Sequence, residues 1–234
     1  RPAPALLSSG LRNLPVTSPA PLEDDELFGE EKAEDRGQGK GYEEALFMES
    51  AISFGTSGPT NTNLYVNGTD EGVTFMSGSS EPMAGDWNEV YFGSWIDTVH
   101  LTGLSVYDGG GMESTAAVYL EYGNDVVFDG LTVANSGAIG LYVGTAAAPL
   151  IRNSTFENNA GDGVRIISDA GIDRGGVERS FANNTMLGNG GFPLSIPADY
   201  LGELDQSCSF AGNNRDQIRV WYDTVIEDAT WLPM

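Results

Sequence analysis

The sequence is poor in the residues that build metal centres and nucleophilic active sites. Its 234 residues include one cysteine, Cys208, and one histidine, His100. A single cysteine cannot form an intrachain disulfide, and one histidine with one cysteine cannot supply a zinc site of such ligands. A Ser-His-Asp arrangement would have to use His100, which lies in a strand-like Val-His-Leu run and is better interpreted as a structural or surface histidine. We therefore predict no disulfide scaffold and no metal site of this kind.

Positive charge is also scarce. There are 11 Lys and Arg residues against 34 Asp and Glu, giving a net charge of −23, and no Lys or Arg occurs from residue 41 to residue 151. Nucleic acids and anionic membrane surfaces bind clustered Lys and Arg, so neither is expected as a partner. No apolar run is long enough to span a bilayer, so we also predict no membrane insertion.

Residues 1–50 differ in composition from the rest of the chain. The opening stretch is rich in Pro, Ser and Ala, and residues 23–49 then hold 11 acids and 3 bases. Such segments are usually solvated or extended because they have little apolar surface to bury. The sequence therefore predicts an acidic, Pro-containing N-terminal extension over residues 1–50 and a folded domain over residues 51–234.

One pattern of short strands and Gly/Asn turns recurs along the second half of the chain. The segment Val133–Val143 matches Phe156–Ile166, 23 residues later, and the pattern returns from Met186 and from Phe210. A self-similar unit of this length, with apolar and polar residues alternating in short runs, is typical of a β-solenoid. An antiparallel sandwich would not require successive strands to resemble one another, so we predict an all-β fold with parallel, stacked coils.

Stacking of the repeats predicts columns of equivalent side chains. The three internal apolar columns would be Val133, Phe156, Met186 and Phe210; Leu141, Val164, Leu194 and Ile218; and Val143, Ile166, Ile196 and Val220. A polar ladder at one turn would contain Asn159, Asn189 and Asn213, with Ser136 in the preceding coil. Stacked amides can hydrogen-bond from coil to coil, so we interpret these asparagines as structural and not as ligands.

The repeats carry a family resemblance. The run from Asn124 to Val220 resembles the right-handed parallel β-helix repeats of the pectin-lyase-like superfamily. The stretch Leu64 to Phe92 (LYVNGTDEGVTFMSGSSEPMAGDWNEVYF) resembles coils of uncharacterised bacterial cell-surface members of that group. The resemblance implies a right-handed parallel β-helix. It does not imply one activity, because the superfamily includes lyases, hydrolases, epimerases, phage tailspikes and adhesins.

Catalytic residues are not predicted. Glycosidases need two carboxylates on one face, and none of the candidate carboxylates falls in a motif resembling that of polygalacturonases. The candidate carboxylates are Asp108, Asp125, Asp129, Asp162, Asp169 and Asp173. Asp129 and Arg152 share a column and are more simply an opposite-charge pair on adjacent coils. The characteristic Arg-containing motif of the family's lyases matches no Arg here. Calcium, which such lyases use, is the one cofactor that the resemblance leaves open.

The most specific surface is an outward column on one strand face. It contains Tyr119, Tyr142, Arg165, Ser195 and Arg219. Aromatic rings and guanidinium groups on a flat parallel sheet suit stacking on sugars or docking of a protein. We therefore name Tyr119, Tyr142, Arg165 and Arg219 as the candidate binding face. The alternative is that Tyr and Arg are simply common at exposed strand positions.

These observations favour a non-enzymatic structural or interaction protein, extracellular or on the cell surface of a bacterium. It would present a rigid rod for self-assembly into a filament or surface layer, for adhesion, or for glycan contact. The chain begins at Arg1 and ends in what resembles the start of another coil. We therefore expect a homo-oligomer, an end-to-end assembly or the remainder of a longer chain. The alternative function is a carbohydrate-active enzyme, a polysaccharide lyase, epimerase or glycoside hydrolase on the same fold.

Overall fold

The computed structural model describes residues 45–48, 50–56, 62–68, 72–111, 114–173, 179–221 and 225. Within them the chain forms short strands, numbered β1 to β18 in chain order, and one 3-10 helix, Ala198–Glu203. None of this helical structure has the length and hydrophobicity of a membrane-spanning helix. Most of the predicted N-terminal extension lies outside the described residues.

The strands form three parallel sheets that the chain visits in turn. Sheet 1 contains β1 (Ala45–Met48), β4 (Val73–Ser77), β7 (Leu104–Tyr107), β10 (Thr132–Ala134), β13 (Thr155–Glu157) and β16 (Thr185–Leu187). Sheet 2 contains β2 (Ile52–Phe54), β5 (Val90–Phe92), β8 (Ala116–Leu120), β11 (Ile139–Val143), β14 (Val164–Ile166), β17 (Leu194–Pro197) and β18 (Arg219–Trp221). Sheet 3 contains β3 (Thr62–Asn67), β6 (Ile96–Thr102), β9 (Asp125–Asp129), β12 (Leu150–Arg152) and β15 (Phe181–Ala182).

From β4 to β17, each strand pairs with the strand three positions earlier in the chain, and β18 pairs with β17. One circuit through sheets 1, 2 and 3 is therefore one coil, and successive coils stack with all described strand pairs parallel. This confirms the predicted all-β parallel solenoid. The first strand, β1, ends at Met48, so the stacked coils begin before the predicted boundary at residue 51.

The core fills the inside of the coils because alternate residues of each strand point inward. Val133, Phe156 and Met186 pair in register and are fully buried, as the first predicted column requires. Phenylalanines stack between coils in the same way, with Phe54 and Phe92 ring centroids 5.6 Å apart. Such stacks remove apolar surface from water at every coil, and this burial is the main source of stability in a solenoid.

The predicted columns lose their burial at the last described coil. Phe210 and Ile218 are half-buried, and Val220 is 45% exposed. Val220 pairs with Ile196 on one side, and no described strand of sheet 2 covers its other side. The prediction that Val220 is an internal residue is therefore wrong in the described part of the chain.

The corner that follows sheet 3 turns through residues with left-handed backbone conformation. This position is occupied in successive coils by Gly103, Gly130, Asn153 and Asn183, with φ of 65°, 73°, 52° and 55°. Only glycine, and less readily asparagine, adopts this conformation without steric strain. The Gly/Asn character of the repeat therefore follows from the corner geometry.

Candidate functional site

Sheet 2 carries the predicted binding face on its outer side. Neighbouring strands align the row Tyr91, Tyr119, Tyr142, Arg165, Ser195 and Arg219, one residue from each coil. Tyr119, Tyr142, Arg165 and Arg219 were all candidates from sequence, and the structure places them in one row. Tyr91 was missed, although the alternation in Glu89-Val-Tyr91-Phe92 is a signal that could have revealed it.

The three tyrosines pack against one another in a continuous strip. The rings of Tyr91 and Tyr119 lie edge to face, with centroids 5.3 Å apart, and those of Tyr119 and Tyr142 follow at 4.8 Å. All three side chains are half-buried. Edge-to-face contact is a favoured arrangement of aromatic pairs, so each ring limits the rotation of the next. The result is a preorganised aromatic surface, which we call the tyrosine strip.

One end of the tyrosine strip is anchored by a carboxylate. The Tyr91 hydroxyl donates to Glu121 Oε2 at 2.5 Å. Burial raises the pKa of Tyr91, and the hydrogen bond to Glu121 and its negative charge raise it further. Burial also raises the pKa of Tyr119. Both hydroxyls are therefore protonated at neutral pH, and that of Tyr91 already donates its proton to Glu121.

Glu89 is an uncompensated acid beside the strip. Its Oε2 atom is buried and has no hydrogen-bond partner among the described residues. Burial raises the pKa of Glu89, because the charged form loses hydration without gaining a partner. Its charge also contributes to the raised pKa values of Tyr91 and Tyr119. The strip thus lies in a locally negative environment.

This environment predicts a pH-dependent effect of Glu89→Gln. A carboxyl whose pKa is raised by folding stabilises the fold fully below its unfolded pKa of about 4.3, and that contribution is lost as the pH rises through the folded pKa. We therefore expect Glu89→Gln to raise the free energy of unfolding by about 0.5–1 kcal/mol at pH 7, allowing for partial exposure, and by nothing at pH 3. Urea unfolding at the two pH values measures this.

Glu81→Gln is the matched control, because Glu81 is an exposed glutamate in the preceding loop. It should change the stability by less than about 0.5 kcal/mol at either pH. Two outcomes would contradict the conclusion that the Glu89 carboxylate destabilises the fold. One is an equal change in the free energy of unfolding for both substitutions, and the other is a gain in stability from Glu89→Gln that persists at pH 3.

Arg165 follows the tyrosine strip and is held by a buried carboxylate. Its Nε donates to Asp162 Oδ2 at 2.8 Å, and its side chain is 29% exposed. Asp162 also accepts from Ser195 Oγ at 2.9 Å and from the Phe192 backbone N–H at 3.0 Å. Ser195 is completely buried, so the outward row is interrupted at this coil. Asp162 therefore fixes Arg165 and largely neutralises its charge.

Arg219 belongs to a separate aromatic cluster. Its guanidinium lies 4.0 Å from the Trp221 ring centroid and 5.7 Å from that of Phe192. Arg215 lies 4.8 Å from the same Phe192 ring. Cations over ring faces are attracted by the aromatic quadrupole. The buried Ser195 separates this cluster from the tyrosine strip, so the candidate face consists of two patches.

The fold now has a counterpart among known families. A family model described as a right handed beta helix region matches residues 116–221, from the first residue of β8 to the last of β18. The chain folds as a right-handed parallel β-helix. This is consistent with the pectin-lyase-like superfamily. No curated protein and no solved structure matches the chain.

The predicted asparagine ladder lies inside the β-helix. Asn159 Nδ2 donates to Asn189 Oδ1 at 2.9 Å, and Asn189 Nδ2 donates to Asn213 Oδ1 at 2.8 Å. Asn159 and Asn189 are each 1% exposed. A second ladder, which the sequence analysis missed, joins the Ser154 N–H to Asn184 Oδ1 at 3.0 Å. These amides satisfy the backbone of the corners, and the buried ones, Asn159, Asn184 and Asn189, are inaccessible to a ligand.

The candidate carboxylates are mostly engaged in structural contacts. Asp108 is buried, accepts from Asn135 Nδ2, and has a pKa raised chiefly by burial. Asp129 pairs in register with Arg152, as predicted, and accepts from Asn153 Nδ2 at 2.7 Å.

The remaining acids give no sign of a metal centre in the described part of the chain. Asp125 Oδ1 lies 3.0 Å from His100 Nε2 at a partly exposed position. Asp169 and Asp173 lie in the loop after β14, where Asp169 is exposed and Asp173 half-buried. No group of three described His, Cys, Asp or Glu side chains could hold a metal ion. The suggestion of calcium stays a prediction.

Proposed function

We propose that this right-handed β-helix is a secreted or cell-surface, non-enzymatic protein that binds glycan chains along the tyrosine strip. The observation that carries the proposal is the edge-to-face packing of Tyr91, Tyr119 and Tyr142 on three consecutive coils. Tyrosine combines an apolar ring face with a hydroxyl that can donate a hydrogen bond, which suits the faces and hydroxyls of sugar rings.

The rigidity of the strip supports this role. Neighbouring strands of a sheet are spaced by about 4.8 Å, and the buried columns beneath the strip hold each strand in register. Ring contacts further restrict the tyrosine side chains. Binding to a preorganised surface costs little side-chain entropy, so a modest contact area can give useful affinity.

Charge favours a neutral glycan over an anionic one. Glu89 and Glu121 flank the strip, and the chain as a whole has a net charge of −23. The nearest cation in the row, Arg165, is paired with Asp162. Like charges reduce association, so a polymer of uronic acids would be repelled.

The binding test compares two tyrosines. Tyr142→Ala removes one end of the strip and should weaken binding to a neutral polysaccharide found on a glycan array by about tenfold, or about 1.4 kcal/mol. Tyr65→Ala is the matched control, because Tyr65 is 56% exposed and lies on sheet 3, whereas the strip lies on sheet 2. Isothermal titration calorimetry measures both.

Two outcomes would count against the proposal. Equal affinity for the native protein and Tyr142→Ala would remove the strip as the binding surface. Release of unsaturated or reducing ends from a polysaccharide during the same incubations would instead support the alternative as a carbohydrate-active lyase or hydrolase, and a changed sugar configuration without chain cleavage would support it as an epimerase.

A further inference from the structure

Two asparagines occupy equivalent, exposed positions on the corner after sheet 3. Arg152 pairs in register with Ala182, so the residues that follow, Asn153 and Asn183, are neighbours on adjacent coils. Both are exposed, and both have the left-handed backbone conformation of this corner. Each is followed two residues later by a threonine, and Thr155 pairs with Thr185 on sheet 1.

The segments Asn153-Ser154-Thr155 and Asn183-Asn184-Thr185 both match Asn-x-Thr with x other than proline. This is the acceptor pattern for N-linked oligosaccharides. We propose that Asn153 and Asn183 are N-glycosylation sites, so that two glycans project from adjacent coils on one corner of the β-helix. Asn67-Gly68-Thr69 is a third match in the sequence, and Thr69 lies outside the described residues.

The fold requires a left-handed residue at this corner but does not require asparagine. Gly103 and Gly130 occupy it in earlier coils. Those coils also have a hydroxyl two residues later, in Gly103-Leu-Ser105 and Gly130-Leu-Thr132. The repeat therefore supplies the hydroxyl in every such coil, and asparagine in place of glycine completes the acceptor pattern at residues 153 and 183.

Both sites are open to solvent. An open groove of about 610 Å³ borders the two asparagines. Its lining residues are Arg152, Asn153, Arg179, Ala182, Asn183, Asp205 and Ser207. Asn153 Nδ2 donates to Asp129 Oδ1 at 2.7 Å. A glycosylated amide keeps one N–H, so this bond can persist in the modified protein.

The transfer needs an enzyme and a lipid-phosphate-linked oligosaccharide as the donor. The bond between sugar C1 and the phosphate oxygen breaks, and a bond between C1 and the asparagine Nδ2 forms. The Nδ2 proton passes to a base of the transferring enzyme, and the lipid phosphate leaves with the bonding electron pair. The step involves no oxidation or reduction, and it takes place where the proposed secreted or cell-surface location would bring the chain.

Glycosylation at this corner would leave the glycans and the tyrosine strip on different sides of the β-helix. The glycosylated corner joins sheets 3 and 1, whereas the tyrosine strip lies on sheet 2. The attached glycans would shield one side of the rod and leave the strip open. Glycan binding by the strip and N-glycosylation of the corner can be disproved separately, because Tyr142→Ala alters only sheet 2 and leaves both acceptor asparagines unchanged.

The test is glycopeptide mass spectrometry on the protein purified from the cells that encode it. We expect peptides containing Asn153 and Asn183 to carry an oligosaccharide mass. Thr155→Val should abolish modification at Asn153, whereas Thr155→Ser should retain it, because both variants keep the asparagine and only serine keeps the hydroxyl. Thermal unfolding of the two variants checks that valine leaves the fold intact.

A gain-of-site variant gives an independent reading. Gly130→Asn creates Asn-Leu-Thr132 at the same corner, where an added Cβ would lie 3.6 Å from its nearest neighbour, an ordinary contact. Its φ of 73° disfavours most side chains, but asparagine already occupies the equivalent positions 153 and 183 at φ of 52° and 55°. We expect an additional glycan, attached at residue 130. Asn158, exposed with φ of 55° but followed by Asn159 and Ala160, should stay unmodified.

Unmodified Asn153 and Asn183 in the purified native protein would overturn the proposal. So would modification of Asn153 that persists in Thr155→Val, since that would show attachment independent of the acceptor pattern.

Discussion

Replacing Asn189 by alanine is expected to lower the free energy of unfolding by about 3–5 kcal/mol. Asn189 Oδ1 accepts from the Asn159 N–H at 3.2 Å, and its Nδ2 donates to the Phe156 carbonyl at 2.9 Å. Alanine would remove the acceptor of the buried Asn159 N–H and one donor to the Phe156 carbonyl, at a cost of about 1–3 kcal/mol each, and would break the ladder to Asn213. Urea unfolding followed by circular dichroism measures the loss.

Asn214→Ala is the control for this experiment. Asn214 is the exposed residue beside the ladder, and its side chain donates to the Gly190 carbonyl at 2.9 Å. Its loss should cost less than about 1 kcal/mol, because water replaces the partner. Similar losses at Asn189 and Asn214 would show that coil-to-coil amide stacking contributes little to stability.

Replacing Asp162 by asparagine is expected to cost about 2–4 kcal/mol and to change the ligand preference of the row. An amide can still accept from the Phe192 N–H, but its NH₂ group would face the Arg165 Nε donor that Asp162 Oδ2 now satisfies. Arg165 would lose its carboxylate partner, and its positive charge would no longer be neutralised. We expect weaker discrimination against anionic glycans, measured by titration of a neutral and a uronate polymer.

The same substitution at Asp169 controls for the change of charge. Asp169 is exposed in the loop after β14, so Asp169→Asn should stay within about 0.5 kcal/mol of the native protein. If Asp162→Asn were equally mild, the contacts of Asp162 would not stabilise the fold. If its glycan preference were unchanged, Arg165 would have no part in recognition.

The coil architecture could be predicted from sequence because stacking imposes one pattern on every repeat. Val133, Phe156 and Met186 recur at equivalent positions, and an internal column is the only arrangement that buries them all. The asparagine ladder followed by the same reasoning, since Asn159 and Asn189 share a place in the repeat. The second ladder, through Ser154 and Asn184, escaped notice because its members are different residue types.

Side-chain environments across coils could not be predicted in this way. The repeat marks Ser195 as outward, yet Asp162, from the corner of the preceding coil, covers it and holds Arg165. Glu89 and Glu121 come from different coils and meet around Tyr91 without any local signal in the sequence.

The sequence by itself determined the fold, the direction of most side chains and the members of the outward row from Tyr119 to Arg219. These depend on the alternation along each strand and on the repeat, both of which are local properties of the chain. Only the tertiary structure decided which members of the row are exposed, neutralised or packed together. Burial and charge pairing depend on contacts between coils of unequal length, where residues far apart in sequence become neighbours.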